Sequence, residues 1–296
     1  MFSAQLFWPE LRLKRAAIFA AFVIAGVFSL PPALAAGQTE KVAGNALSQV
    51  AKLIFRNECA ARTACLTSWN RGEAFASLGI GHFIWYPADV TERDKRFKES
   101  FPALLRFMQA KGVRFPGWLA DARGCPWLDK NSFEKAQNSQ KMIVFREFLI
   151  KTMPLQAAFM QQRLADALPL MLTSLETDQR THVRQQFERV AAAPMGAYVL
   201  TDYVNFKGEG IRVSERYRGR GWGLMQVLEA MQGENSGLAA IEEFSRAAVM
   251  VLQRRVANAP TQRHEARWLP GWQKRIVSYM REARKLLRRD ATNHSL

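Results

Sequence analysis

The sequence predicts a mainly helical α+β protein in which a small β-hairpin forms one wall of a cleft. Three observations carry this. Apolar residues recur at three- and four-residue spacing over long stretches of the chain. A single region, Asn70 to Pro87, reads as turn followed by glycine-interrupted strand. A hydrophobic content of 48% in 296 residues is ample for a core and excludes a disordered chain.

Charge and cysteine usage narrow the function classes. Lys and Arg number 42 against 26 Asp and Glu, a net charge of +16. Such a surface attracts polyanions: nucleic acid, anionic membrane or anionic cell-wall polymer. The three cysteines and four histidines show no metal-ligand spacing, so no zinc site is expected. The N-terminus reads as an address. Arg12, Lys14 and Arg15 precede an apolar run from Ala16 to Leu30, and Ala33-Leu34-Ala35-Ala36 follows two prolines. This is the pattern of a secretory signal peptide over residues 1–35, cleaved after Ala35. Its 15 apolar residues fall short of the roughly 20 that span a bilayer. The mature chain is therefore expected outside the cytoplasm, periplasmic or extracellular, with no stable membrane insertion. There it meets envelope polymers before nucleic acid, and no nucleic-acid recognition motif is present. An oxidising compartment permits one disulfide among Cys59, Cys65 and Cys125 and leaves one thiol over; spacing does not decide which pair.

After a short linker at residues 37–41, Leu47, Val50, Leu53, Ile54 and Phe55 recur at helical spacing. Glu58 lies four residues beyond Ile54, on the apolar face at the helix's C-terminal end. That is an unfavourable place for an anion and a suitable one for a general acid. Asn70-Arg71-Gly72 is a turn signal, and Glu73 beside it is a second carboxylate. Phe75, Ser77 and the Ile80–Ile84 region read as strand, with Gly79 and Gly81 marking a bend or a close backbone approach.

Ser77-Leu78-Gly79-Ile80-Gly81-His82 resembles the Thr-Ile-Gly-Ile-Gly-His run of phage-type lysozymes. The resemblance implies a lysozyme-like fold in which a catalytic Glu ends the first helix and a hairpin bears an Asp and a Thr. Glu58 matches that Glu, and Ser77 stands at the Thr. The Asp position falls on Arg71, which leaves Glu73 as the nearest carboxylate. The segment from Glu58 to Ser77 is also about four residues longer than in the family.

Residues 88–153 have no counterpart in the family and read as an insertion into one domain spanning 36–296. Within it Phe101-Pro102 starts a helix through Met108, Cys125-Pro126-Trp127 anchors a loop, and Met142 to Leu149 forms an apolar helix face. A helical pattern follows from Leu155 to Leu175 and another from Val183 to Ala193. Val199, Tyr203 and Phe206 then share the face of a helix that ends at Gly208-Glu209-Gly210. This block is similar to the buried helix of phage-type lysozymes. Asn205, Lys207 and Glu209 at its end are expected on the far side of the cleft. Tyr217 and Trp222 are candidates for stacking on sugar rings. Gly223-Leu224-Met225-Gln226 echoes a run of lytic transglycosylases, though far from its usual place. Ile241–Val256 forms a helix, Trp268–Trp272 turns the chain, and Ile276 to Leu286 forms a last amphipathic helix. His182, His264 and His294 read as surface residues.

The resemblance therefore implies a glycoside hydrolase acting on peptidoglycan or a related amino-sugar polymer, without cofactor or metal. Glu58 is the expected general acid, Glu73 the group that orients water or stabilises an oxocarbenium-like state, and Ser77 the holder of that water. His82, Asn205, Glu209, Tyr217 and Trp222 are the expected substrate-binding residues. A lytic transglycosylase and a non-catalytic peptidoglycan-binding protein of the same fold are the alternatives, both favoured by Arg71.

Overall fold

The computed structural model describes residues 47–95 and 97–293. The expected signal peptide at 1–35, the linker at 37–41 and His294 lie outside the described residues. The chain is mainly helical with a small antiparallel sheet. Helix α1 spans residues 47–59 and buries Val50, Ala51 and Ile54. It stops where Ala60 and Ala61 both take positive φ, 48° and 58°. That left-handed geometry cannot continue a helix.

A 3-10 turn, Thr63–Leu66, leads into three short strands: β1 (Thr67–Ser68), β2 (Ala76–Leu78) and β3 (Phe83–Trp85). All pairs are antiparallel, with Ser77 opposite Ser68 on one side and Ile84 on the other. Strand β1 is not apparent from the sequence, because a two-residue strand has no measurable periodicity. Gly72, at φ 82°, makes the first turn and Gly79, at φ 68°, the second. Gly79 is also a close approach: a Cβ there would lie 2.3 Å from Gln156 Oε1. That oxygen accepts a hydrogen bond from the Ile80 amide at 2.8 Å.

Residues 88–153 are structural. They carry α2 (Phe101–Ala110), α3 (Gly117–Ala120), α4 (Lys130–Lys135) and α5 (Gln140–Lys151). Phe101, Trp118, Trp127 and Phe145 join Trp85 of β3 in one aromatic cluster. Arg146 of α5 donates to the Thr67 hydroxyl and tethers the helix to β1. The sheet therefore rests on residues from this segment.

Helices α6 (Met153–Thr173), α7 (Thr177–Ala191), α8 (Gly196–Lys207), α9 (Leu224–Ala230), α10 (Leu238–Asn258) and α11 (Leu269–Asn293) follow. Helix α8 is apolar on nearly every side, so it packs as a buried rod against α6, α7 and α9. Helix α11 begins within the expected Trp268–Trp272 turn, at Leu269. Pro270 and Gly271 form its first turn, where the missing proline N–H breaks no helical bond. The reversal is made instead by Pro260 to Trp268.

Between α8 and α9 the chain folds over itself. The hairpin β4 (Arg216–Tyr217) and β5 (Arg220–Gly221) stands out from it. Gly223 packs so closely on Gly210 that an added Cβ would lie 2.1 Å from the Gly210 amide nitrogen and 2.4 Å from its Cα. Neither backbone atom can rotate away. Gly223→Ala is expected to lower stability by about 1–3 kcal/mol, the usual range for overpacking, as read from the urea midpoint. An unchanged midpoint would show that the loop 208–223 can open at no cost.

Candidate active site

Glu58 sits in the last turn of α1, with its side chain 16% exposed. Its Oε1 accepts from Asn205 Nδ2 at 3.0 Å and from Arg275 Nη2 at 2.7 Å. Its Oε2 has no hydrogen-bond partner among the described residues. One carboxylate oxygen is thus fixed by two donors and the other is without one.

Arg275, on α11, is itself held. Its Nε and Nη2 donate to Asp202 Oδ2 and Oδ1, both at 2.8 Å, a bidentate pair. Tyr279 donates its hydroxyl to the same Asp202 at 2.7 Å. Asp202 is wholly buried in α8. Burial works against the Arg275 charge, but Asp202 and Glu58 more than offset it and hold the guanidinium pKa well above its usual value. Asn57, beside Glu58, donates to Tyr198 of α8 at 2.7 Å. Three helices distant in sequence thereby fix one side chain. Asp202, Arg275 and Tyr279 were not singled out in the sequence. A lone aspartate inside the apolar run Ala197 to Val204 was the available signal, since a buried charge demands a partner.

A cleft of about 460 Å³ is reached from this group through Asn205; Glu58 itself is not among the lining residues. His82 and Ile84 of the hairpin, Phe159 and Arg163 of α6, and Asn205 and Glu209 at the end of α8 line it. Asn205 therefore joins the cleft to Glu58. His82, Asn205 and Glu209, expected on facing walls, do come together here. Glu209 lies 4.0 Å from Arg163. Glu215, also in the wall, is raised above the usual carboxylate range by burial and then by Glu209. Arg163 and Glu215 carry no sequence signal, because the folding of α6 against α8 alone brings them here.

The other sequence candidates lie elsewhere. Glu73 is not among the cleft-lining residues. Its carboxylate accepts from Asn70 at 3.0 Å within its own turn, and its carbonyl accepts from Trp69 Nε1. Ser77 is buried at the centre of the sheet, 4% exposed, and also does not line the cleft. Tyr217 and Trp222 stack on each other at 4.6 Å. Tyr217 donates to Glu265, and Trp222 is covered by the Arg255 guanidinium at 4.0 Å. They pack α10 against the loop and line no part of the cleft. A large aromatic in a glycine-rich loop serves the core as readily as a sugar, and only the fold separates the two roles.

Cys59 and Cys65 form a disulfide that closes the end of α1 one residue after Glu58, and Cys125 is a buried free thiol. His82 Nε2 lies 3.5 Å from Cys65 Sγ and 3.8 Å from Cys59 Sγ. Among the described residues these three bring metal-ligand atoms within 4.8 Å of one another. The sulfurs are bonded to each other, however, and a disulfide offers no thiolate to a metal.

Lys207 ends α8 with its ammonium 3.3 Å from the Trp272 ring centroid and 4.0 Å from that of Phe206. Burial, with Arg255 and Arg275 nearby, pushes it down to about 6.

Two measurements follow from these groups. Asp202→Ala leaves the Arg275 charge short of its main partner, and is expected to cost about 3–5 kcal/mol in chemical denaturation. A loss under 1 kcal/mol would remove the pair from its central place. Between pH 6 and the ordinary lysine range, the unfolded chain holds a proton on Lys207 that the folded chain lacks, so stability rises with pH. Above about pH 9 the Cys125 thiol, which burial pushes up to about 12, opposes the rise by keeping its proton only in the folded state. Urea midpoints should therefore increase from pH 6 to pH 9, and Lys207→Met should flatten that slope.

Compared with protein-family models, with curated proteins and with solved structures, the chain matches none of them.

Proposed function

We propose that this protein is an exported, lysozyme-like enzyme that cleaves the glycan of peptidoglycan or a related amino-sugar polymer. The observation that carries this reading is Glu58: a helix-end carboxylate fixed through one oxygen by Asn205 and Arg275, with the other oxygen unpartnered. A general acid needs a positioned carboxyl group free to hand a proton to the leaving oxygen. The cleft reached through Asn205 is of a size suited to a sugar unit or two. Its wall includes His82 at the end of the glycine-spaced run.

In this mechanism Glu58 protonates the glycosidic oxygen. Arg275 and Asn205 hold the carboxyl group in place, and Arg275 stabilises the anion left after proton transfer. His82, resting on the disulfide, and Glu209, on the opposite wall, flank the glycan. The basic surface favours adsorption to anionic wall polymers. Among the described residues no helix is long and apolar enough to cross a membrane.

A second reading has a specific observation in its favour. Glu73 is turned into its own loop, so the role of a second carboxylate at the hairpin lacks a residue. A lytic transglycosylase needs the acid and no second carboxylate, because a sugar hydroxyl closes the ring internally. Glu58→Gln is expected to lower release of soluble fragments from purified peptidoglycan at least a hundredfold, the lower range for an acid–base group, with polymer binding retained. Mass spectrometry of wild-type products separates reducing ends, from hydrolysis, from anhydro ends, from transglycosylation. Wild-type protein that binds the polymer and releases nothing would instead be a binding protein.

A further inference from the structure

A second cavity, of about 670 Å³, lies on the other side of the loop 208–223. The loop gives Glu209, Arg212 and Glu215 to the cleft and Arg216, Gly219 and Arg220 to this cavity. Gln226 forms part of the cavity wall and fixes the loop between the two, accepting from the Gly223 amide and donating to the Gly210 carbonyl.

The chemistry of the cavity is unusual in one respect. Three guanidinium groups, Arg216, Arg220 and Arg254, line it together with two carboxylates, Asp178 and Glu229. None of the five side chains forms an ion pair or side-chain hydrogen bond among the described residues. Opposite charges at a surface usually find each other when they are within reach, as Arg246 does with Glu242 on the same α10. Here they are held apart across a cavity by α7, α9, α10 and the β4–β5 hairpin. Two polar atoms behind the cavity wall, Arg254 Nε and His182 Nε2, are buried without a hydrogen bond. A buried, unsatisfied donor on a guanidinium is costly to leave unmade. The expected surface position of His182 is thus corrected, since its Nε2 is covered and belongs to this wall. Glu229 is raised above the usual carboxylate range by burial, with the surrounding arginines acting the other way. A cationic partner would favour its charged form further.

We propose that this cavity binds a free zwitterionic dipeptide, with its carboxylate on the arginines and its ammonium on Glu229 and Asp178. A ligand carrying only negative charge would satisfy the guanidiniums and be repelled by the two carboxylates. A ligand carrying both charges a few ångströms apart satisfies both sets. The volume accommodates a dipeptide. The proposal does not rest on the glycan-cleaving reading, because no residue of the cavity touches Glu58.

The test is calorimetric titration of the full chain at low salt with alanyl-alanine, N-acetyl-alanyl-alanine, alanyl-alanine amide and inorganic phosphate. Alanyl-alanine is expected to bind, and each capped form about tenfold more weakly, the effect of losing one charge-assisted contact. Arg254→Gln should weaken alanyl-alanine about tenfold. Glu229→Gln should remove the preference over the N-acetyl form, and Glu58→Gln should leave binding unchanged. If Arg254→Gln does not fold by circular dichroism, Arg216→Gln, on the exposed strand β4, gives the same reading. Absence of alanyl-alanine binding, equal binding of the N-acetyl form, or phosphate displacing the dipeptide at equal concentration would each overturn the proposal.

Discussion

Arg275 stands between two carboxylates that no local interaction could bring together. Asp202 comes from the middle of α8, Glu58 from the end of α1, and Arg275 from α11, more than two hundred residues after Glu58. A buried aspartate without a partner would be strongly destabilising, and a buried guanidinium equally so. Once paired, Arg275 ties α11 to α8, and its Nη2, which donates to Asp202, also donates to Glu58. The same residue that makes the buried Asp202 tolerable therefore also holds the Glu58 carboxylate, next to Asn205 of the cleft wall. Tyr279 completes the set by closing the last side of Asp202.

The hairpin wall is positioned by different means. Its strands are too short to be stable alone. Gln156 from α6 caps the second turn through the Ile80 amide, and helices α2 and α5 supply an aromatic floor under β3. The disulfide then ties the start of the hairpin segment to the end of α1. His82, in a left-handed conformation at φ 48°, rests on that disulfide. Residues 88–153 are thus part of the scaffold on which the cleft is built, and their loss would remove the core beneath the hairpin wall.

The loop 208–223 is a partition. Glycines at 210 and 223 let two backbone segments touch, and Gln226 satisfies the amide and carbonyl that this approach leaves over. One face of the loop carries the acidic side of the cleft and the other carries the arginines of the second cavity. The glycine contacts and the Tyr217–Trp222 pair, packed on α10, together hold this thin segment between the two.

Helical periodicity, the glycine run and the composition determined the mainly α class, the approximate span of most helices, the hairpin and the choice of Glu58. These are local properties: apolar spacing of three and four, a turn that needs positive φ, a carboxylate at a helix end. What decided the site was tertiary. Glu73 and Ser77 share the hairpin with His82, yet one folds into its own turn and the other into the sheet. Tyr217 and Trp222 found each other, Glu265 and Arg255 rather than the cleft. Asp202 and Arg275, silent in any local pattern, became the groups that hold Glu58. A side chain's direction depends on the partners that burial makes obligatory, and those partners lie far away along the chain.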